Sequence, residues 1–216
     1  MLLLAFDTAT PAVTVALHDG RAVIAAETAV AAHQHGELLA AAIAAVLRAA
    51  GAAPGDLTGV AAGIGPGPYT GLRAGLVTGR VLASALAIRA DGVCSLDAIA
   101  LAAAPAAAGR EFLVATDARR REVYWARYSP AGQRLAGPQV GPPAELPAGY
   151  PVAGEGGVLH PEIGAQLLPE RYPQAGWLAE IAAERIAAGT PAAALEPLYL
   201  RRPDAREPGR PKRVTA

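Results

Sequence analysis

The chain has 216 residues, 52% of them apolar, which is enough for one domain or two small ones with a substantial core. Its 19 basic and 19 acidic residues balance, so no global field draws it to nucleic acid. The single cysteine, Cys94, excludes an internal disulfide and suggests a reducing compartment, and no run of about 20 uncharged apolar residues is present to span a membrane.

The first residues, Met1 to Asp7, carry no basic leader and do not read as a signal peptide, so the expectation is a soluble cytoplasmic protein. Leu2 to Phe6 is a short continuous apolar run, as in a buried strand, and it ends in Asp7-Thr8-Ala9-Thr10-Pro11. Val13, Val15 and Leu17 alternate with Thr14 and Ala16 in a second strand. Asp19-Gly20 marks a hairpin turn, and Ala22 to Thr28 supplies a third strand, completing an antiparallel meander.

His33 to Ala50 reads as a helix stopped by Gly51 and Pro54. Leu39, Ile43, Val46 and Leu47 form its core stripe, but Leu38 and several alanines leave most other directions apolar or small. Such a helix is expected to be covered on more than one side.

Val60 to Ile64 is the next strand. It runs into the loop Gly63-Ile64-Gly65-Pro66-Gly67-Pro68-Tyr69-Thr70-Gly71 and then a helix reaching to about Ile88. Gly71, Gly75, Gly79, Ala83 and Ala87 recur at every fourth position and share one stripe. Each interior glycine costs roughly 1 kcal/mol against alanine. The stripe therefore implies that something approaches closely there: a phosphate at the loop, the chain's own sheet, or a second protein.

Ile88 to Val93 is a further strand, and Ser95 is placed to cap a helix through Ala104. After Pro105 to Gly109 the pattern partly resets. Phe112 to Asp117 is an apolar strand ending in Asp, like Leu2 to Asp7. Arg119-Arg120-Arg121-Glu122 is a charged turn, Val123 to Tyr128 a second strand, and Gln133 to Val140 a candidate third. This echo suggests two related halves. Pro151 to Gly157 is another strand leading to a glycine loop, and Trp177 to Ala188 is an amphipathic helix. A proline- and arginine-rich tail follows Arg201 and reads as disordered.

Candidate chemistry is sparse. The loop at 63–71 is not a P-loop, because Leu72 and Arg73 stand where a lysine and a hydroxyl are needed. The dinucleotide fingerprint fails at Pro68, and Pro66 and Pro68 remove two N–H donors. A helix start can still hold an anion, so nucleotide contact and a helix-aiming turn both stay open. His33 and His35 point about 200° apart on a helix and have no completing ligand set, so no metal is expected. Cys94 and Ser95 lack a nucleophile elbow and read as a buried thiol and a cap. Asp7 and Asp117, each ending the first strand of a half, could act on a magnesium–nucleotide complex or simply form turns. Arg201, Arg202, Arg206, Arg210, Lys212 and Arg213 against Asp204 and Glu207 would favour phosphate, but no aromatic residues interleave with them to stack bases.

Taken together, Leu4 to Thr10, His35-Gly36-Glu37-Leu38-Leu39 and Gly65 to Gly75 closely resemble the bacterial TsaB (YeaZ) family. Asp117-Ala118-Arg119-Arg120, Glu122-Val123-Tyr124 and Pro197 to Arg201 fit the same family, in the same order. The family's loop usually reads Gly-Pro-Gly-Ser-Phe-Thr-Gly, so Pro68 and Tyr69 are departures, and Pro68 weakens any phosphate role.

The resemblance implies an α/β protein of the actin/Hsp70/sugar-kinase-like fold, with two duplicated lobes and a degenerate nucleotide site. The expected organisation is residues 1–105 for the first lobe, 106–200 for the second, whose last helix can return to the first, and 201–216 for the tail. The implied role is a non-catalytic scaffold subunit in making N6-threonylcarbamoyladenosine at position 37 of tRNA. It would pair with and activate its catalytic homologue TsaD, be joined by the ATPase TsaE, and form a homodimer when alone, meeting tRNA only through the complex. No cofactor is expected to be required, but weak ATP or ADP contact is expected at Asp7, Thr8, Gly65, Gly67, Thr70, Asp117 and Gly154. The first two helices are the implied partner face, through His35, Leu38, Leu39, Ala42, Ile43, Leu72, Gly75, Leu76 and Gly79. The alternative is a stand-alone ATPase or glycoprotease-type enzyme.

Overall fold

A computed structural model of the chain describes residues 1–30 and 35–201. The expectations on His33 and on the tail beyond Arg201 lie outside the described residues. The first half is a meander of three strands, β1 (Leu3–Asp7), β2 (Ala12–His18) and β3 (Val23–Val30), then helix α1 (His35–Ala49), strand β4 (Gly59–Gly63), helix α2 (Tyr69–Leu86) and strand β5 (Arg89–Val93). Its sheet has the order β3-β2-β1-β4-β5, with β1, β4 and β5 parallel and β2 and β3 antiparallel to their neighbours.

Helix α3 (Ser95–Ala103) leads into the second half: strands β6 (Phe112–Asp117), β7 (Val123–Tyr128), β8 (Arg134–Gly141) and β9 (Pro151–Ala153), a short helix α4 (Glu155–Leu159), strand β10 (Gln166–Leu167) and helix α5 (Ala175–Ala187). The second sheet runs β8-β7-β6-β9-β10, with β6 antiparallel to β7 and parallel to β9. The two orders superpose strand for strand. The echo at Asp7 and Asp117 is thus a repeat of topology, and the molecule has the duplicated actin/Hsp70/sugar-kinase-like fold.

The period-2 alternation of β1 sorts its side chains into two cores. Leu4 and Phe6 join Leu39, Val46, Leu72 and Leu76 beneath α1 and α2. Leu3 and Ala5 face the other way, onto Ala175, Leu178, Ala179 and Ala182 of α5. Helix α5 therefore returns to the first sheet. Helix α3 touches α5 and packs Leu96, Ile99 and Ala103 onto Phe112, Val114 and Tyr128 of the second sheet. Helix α4 covers that sheet's far face at β6. The order of layers is helix pair, sheet, helix pair, sheet, helix. Helix α3 thus precedes the boundary expected at 105 yet packs on the second sheet.

After α5 an extended strap closes the β5 edge. Gly92 N–H donates to Ala193 O at 2.9 Å, Ala193 N–H to the buried Asp91 carboxylate at 3.2 Å, and Leu198 N–H to Ile64 O at 2.8 Å. The Arg80 guanidinium grips the Leu195 carbonyl. The strap ends in the second lobe, where Arg201 donates to Ala118 O at 3.1 Å and pairs with Glu122.

Candidate functional site

Strand β1 delivers Asp7 into a space that only glycine leaves open: a Cβ at Gly63 would lie 1.8 Å from the Asp7 carboxylate. Asp7 Oδ1 accepts the Ala9 N–H at 2.7 Å and Oδ2 accepts the Ser95 hydroxyl at 2.5 Å. Ser95 Oγ in turn accepts the Gly65 N–H at 3.2 Å, and the Ser95 N–H donates to Gly65 O at 2.8 Å. Burial pushes the Asp7 carboxyl up to about 6, with the Ser95 and Ala9 hydrogen bonds and His35 acting in the opposite direction. Ser95 is consequently not the N-cap of α3. That position belongs to Cys94, because the Ser95 hydroxyl is committed to Asp7 and the glycine loop. Burial holds the Cys94 thiol up at about 12, where it is not nucleophilic.

The glycine stripe has a cause within the chain. The Thr8 hydroxyl donates to Gly71 O at 2.8 Å and accepts the Gly75 N–H at 3.1 Å, so it joins the two ends of one helical turn. A Cβ at Gly71 would meet Thr8 O at 2.6 Å, and one at Gly75 would meet Thr8 Oγ1 at 2.5 Å. At Gly79 it would meet Leu195 of the strap at 2.9 Å. Of the three sources of close approach that the spacing left open, the chain's own β1 loop and strap account for it. Ala87 drops out of the stripe, because it ends α2 with φ +52°.

A cleft of about 480 Å³ opens between the lobes, lined by Thr8, Thr10, His35, Thr70, Gly71 and Arg119 among others. His35 Nε2 lies 3.0 Å from Thr10 O, which holds the ring in the cleft. Of the expected nucleotide residues, Thr8 and Thr70 line this space. Asp117 does not: its carboxylate accepts the Arg119 N–H at 2.7 Å and pairs with the Arg119 guanidinium at 3.0 Å. Asp7, Gly65, Gly67 and Gly154 are absent from its lining as well. Gly67 lies over Ala9 O, where a Cβ would sit at 2.2 Å. Gly154, at φ +95°, lies 2.0 Å by the same measure from Ala115 O. These two glycines serve close backbone crossings. Arg119 and Thr10 also line the cleft and were not among the expected site residues; the signal for Arg119 was the charged turn that follows the apolar strand Phe112–Asp117.

The expected partner residues divide. Leu39, Leu72, Gly75, Leu76 and Gly79 are buried in the chain's own core, and Leu38, Ala42 and Ile43 are partly buried against it. The outward face of the helix pair is formed by other residues. Val77 and Val81 are 54% and 59% exposed, and Ala41 and Ala44 of α1 are exposed too. The signal was the spacing itself: positions two beyond each stripe glycine point to the opposite side of the helix.

Among the described residues no group of three or more His, Cys, Asp or Glu is placed to hold a metal ion, and no helix is long and apolar enough to cross a membrane.

Residues 26–215 match the family model described as TsaD, tRNA N6-adenosine threonylcarbamoyltransferase. A solved structure of YeaZ from Pseudomonas aeruginosa aligns with a TM-score of 0.78 at 30% identity, over 92% of this chain and 99% of that one. The chain belongs to the YeaZ (TsaB) group of the TsaD family. A second structure, of an uncharacterized protein with similarity to peptidase YeaZ from Pseudomonas aeruginosa, aligns at TM-score 0.81 and 30% identity over 93% of this chain and 99% of that one. An uncharacterized protein of Mycobacterium tuberculosis is 43% identical over 212 residues, covering 94% of this chain and 93% of the relative. At the level of the family, the YeaZ (TsaB) role lies in threonylcarbamoyladenosine synthesis on tRNA.

Proposed function

We propose that this chain is a non-catalytic scaffold subunit that pairs with the catalytic TsaD homologue of its own cell through the outward face of α1 and α2 and activates it. The observation that carries the reading is that face. Val77, Val81, Ala41 and Ala44 stand exposed on helices whose other sides are already packed on the sheet. Small and branched apolar side chains on two adjacent helices suit close helix-on-helix docking. The same face would join two copies when TsaD is absent, and the ATPase TsaE would join the assembled pair.

The chemistry of the acids supports the non-catalytic part. The Asp7 carboxylate is tied to Ala9 and Ser95, and Asp117 to Arg119, so neither is presented to a substrate. The inter-lobe cleft, with Thr8, Thr70 and Arg119 in its wall, favours at most weak ATP or ADP contact. Pro68 at the start of α2 supplies no N–H there.

A reconstituted modification assay tests the reading. With TsaD, tRNA and threonylcarbamoyl-adenylate present, adding this chain is expected to raise product formation by orders of magnitude. Product formation that is equal with and without the chain contradicts it. Calorimetry of the isolated chain with magnesium–ATP separates the enzyme alternative: micromolar binding with turnover would favour an ATPase.

A further inference from the structure

The two sheets have four edges, and three of them are protected against further pairing. The strap covers β5, β10 is two residues long, and β8 carries Pro138 and meets β7 with two breaks in register. The fourth edge, β3, is eight residues long and has neither proline nor lysine. Its one bulge, opposite Leu17 and His18, lies at its start, and its register with β2 is unbroken from Ala25 to Val30. Among the described residues nothing but β2 takes a backbone N–H or C=O of β3. Val23, Ile24 and Val30 stand 38%, 46% and 60% exposed. A row of unpaired backbone groups flanked by branched apolar side chains is a template for one more strand.

The two faces of β3 set what that strand must carry. Alternation puts Ala26 and Thr28, opposite Ala16 and Thr14, on the side of α5. There a groove of about 340 Å³ lies between β3 and the start of α5, with Val23, Ala26, Thr28 and Trp177 in its wall. Glu180 at its rim, 3.3 Å from His18 Nε2, adds a carboxylate. Glu27, opposite Val15 of the core beneath α1, projects on the other side of the sheet and is exposed, and β3 has no basic residue to balance it. A strand beside β3 therefore needs apolar side chains toward the groove and, at the alternate positions, a basic side chain beside Glu27. A second copy of β3 is the poorer match. Two-fold antiparallel pairing of the regular run sets Glu27 opposite or diagonal to its own counterpart, where like charges repel.

We infer that β3 is a docking edge for an extended segment of a partner protein that alternates apolar and basic side chains and enters as a sixth strand of the first sheet. Its apolar side chains fill the groove beside Trp177, and its basic side chains meet Glu27. The edge is a different surface from the outward face of α1 and α2, and its test needs no TsaD, so its failure leaves the proposed function untouched.

The test is titration calorimetry of the purified full-length chain with three capped eight-residue peptides. The first alternates valine and lysine, the second has glutamate in place of lysine, and the third is the first with its backbone amides N-methylated. The valine–lysine peptide is expected to bind below about 100 µM, and each of the other two at least about tenfold more weakly. Glu27→Lys, at an exposed position and with an unchanged thermal melt, is expected to reverse the order, so that the glutamate peptide binds better than the lysine one. A wild-type chain that does not bind the valine–lysine peptide overturns the edge. An N-methylated peptide that binds as well as its parent also overturns it, since no strand is then being added. So does a Glu27→Lys variant that keeps the wild-type order. A dimer of the chain alone that Glu27→Lys alters, with no peptide bound, would place a second copy on β3 and overturn the assignment to a basic partner.

Discussion

Asp7 is the carboxylate enclosed at the end of β1, and the perturbation of its titration has a sign. Its carboxyl titrates at about 6 in the folded chain against 3.8 when free. Between these values the folded state binds more protons than the unfolded one, so stability falls as pH rises through the window. Above it the charged form is fully penalised, by about 3 kcal/mol. Asp7→Asn keeps an acceptor for the Ala9 N–H and removes the titration. Urea unfolding at pH 4 and pH 7 is expected to show the variant gaining on the wild type by up to about 3 kcal/mol as pH rises. An identical pH dependence in both proteins would show that Asp7 ionises freely. A sequence can show that Asp7 ends a strand. It cannot show that Gly63, 56 positions later, leaves the space in which that carboxylate is enclosed, because only the β1–β4 pairing brings them together.

At the scale of elements, α2 is set by its glycines. Helix propensity favours alanine at every one of them by roughly 1 kcal/mol. Gly75→Ala nevertheless places a Cβ 2.5 Å from Thr8 Oγ1 and pushes apart the hydroxyl bridge to Gly71. It is expected to destabilise the chain by about 1–3 kcal/mol. Gly36→Ala, in α1 with nothing within 4 Å of the new methyl, is expected to stabilise it by about 0.5–1 kcal/mol. Denaturant midpoints of the two variants on opposite sides of the wild type would confirm the packing, and a stabilised Gly75→Ala would contradict it.

Most elements were legible because their signals are local. The apolar runs of β1 and β6, the Asp19-Gly20 turn and the amphipathic α5 each stand where periodicity puts them. The short helix α4 and the two-residue β10 were not legible, since five and two residues are too few to show a period. The stripe was read correctly as a place of close approach, but a one-dimensional pattern does not say what approaches. The answer lay in a loop more than 60 residues upstream and a strap more than 100 residues downstream.

At the scale of the whole molecule, two lobes with one strand order share a helix layer, α3 with α5, and are tied again by the strap. Leu195 is the strap's buried anchor, set against Gly79 and the core beneath α2. Leu195→Ala is expected to cost about 2–4 kcal/mol, read as a lowered unfolding midpoint. The burial of Leu72, Gly75, Leu76 and Gly79 also decides how the partner face must be probed. A charge at Leu76 would be enclosed in the chain's own core and would unfold it at a cost of several kcal/mol, which says nothing about pairing. A charge at Val81, 59% exposed in the single chain, lies in water in the monomer and would be buried only where the proposed partner face is covered, by TsaD or by a second copy.

The most direct measurement is therefore the affinity of Val81→Asp for the TsaD homologue of the same cell, by calorimetry, with its melting temperature recorded alongside. The account predicts a melt within a few degrees of the wild type and an affinity at least about a hundredfold weaker, as expected when one unpaired charge is buried at an apolar contact. A folded Val81→Asp that binds TsaD as tightly as the wild type does would contradict it, because the outward face of α1 and α2 would then not be the face that pairs.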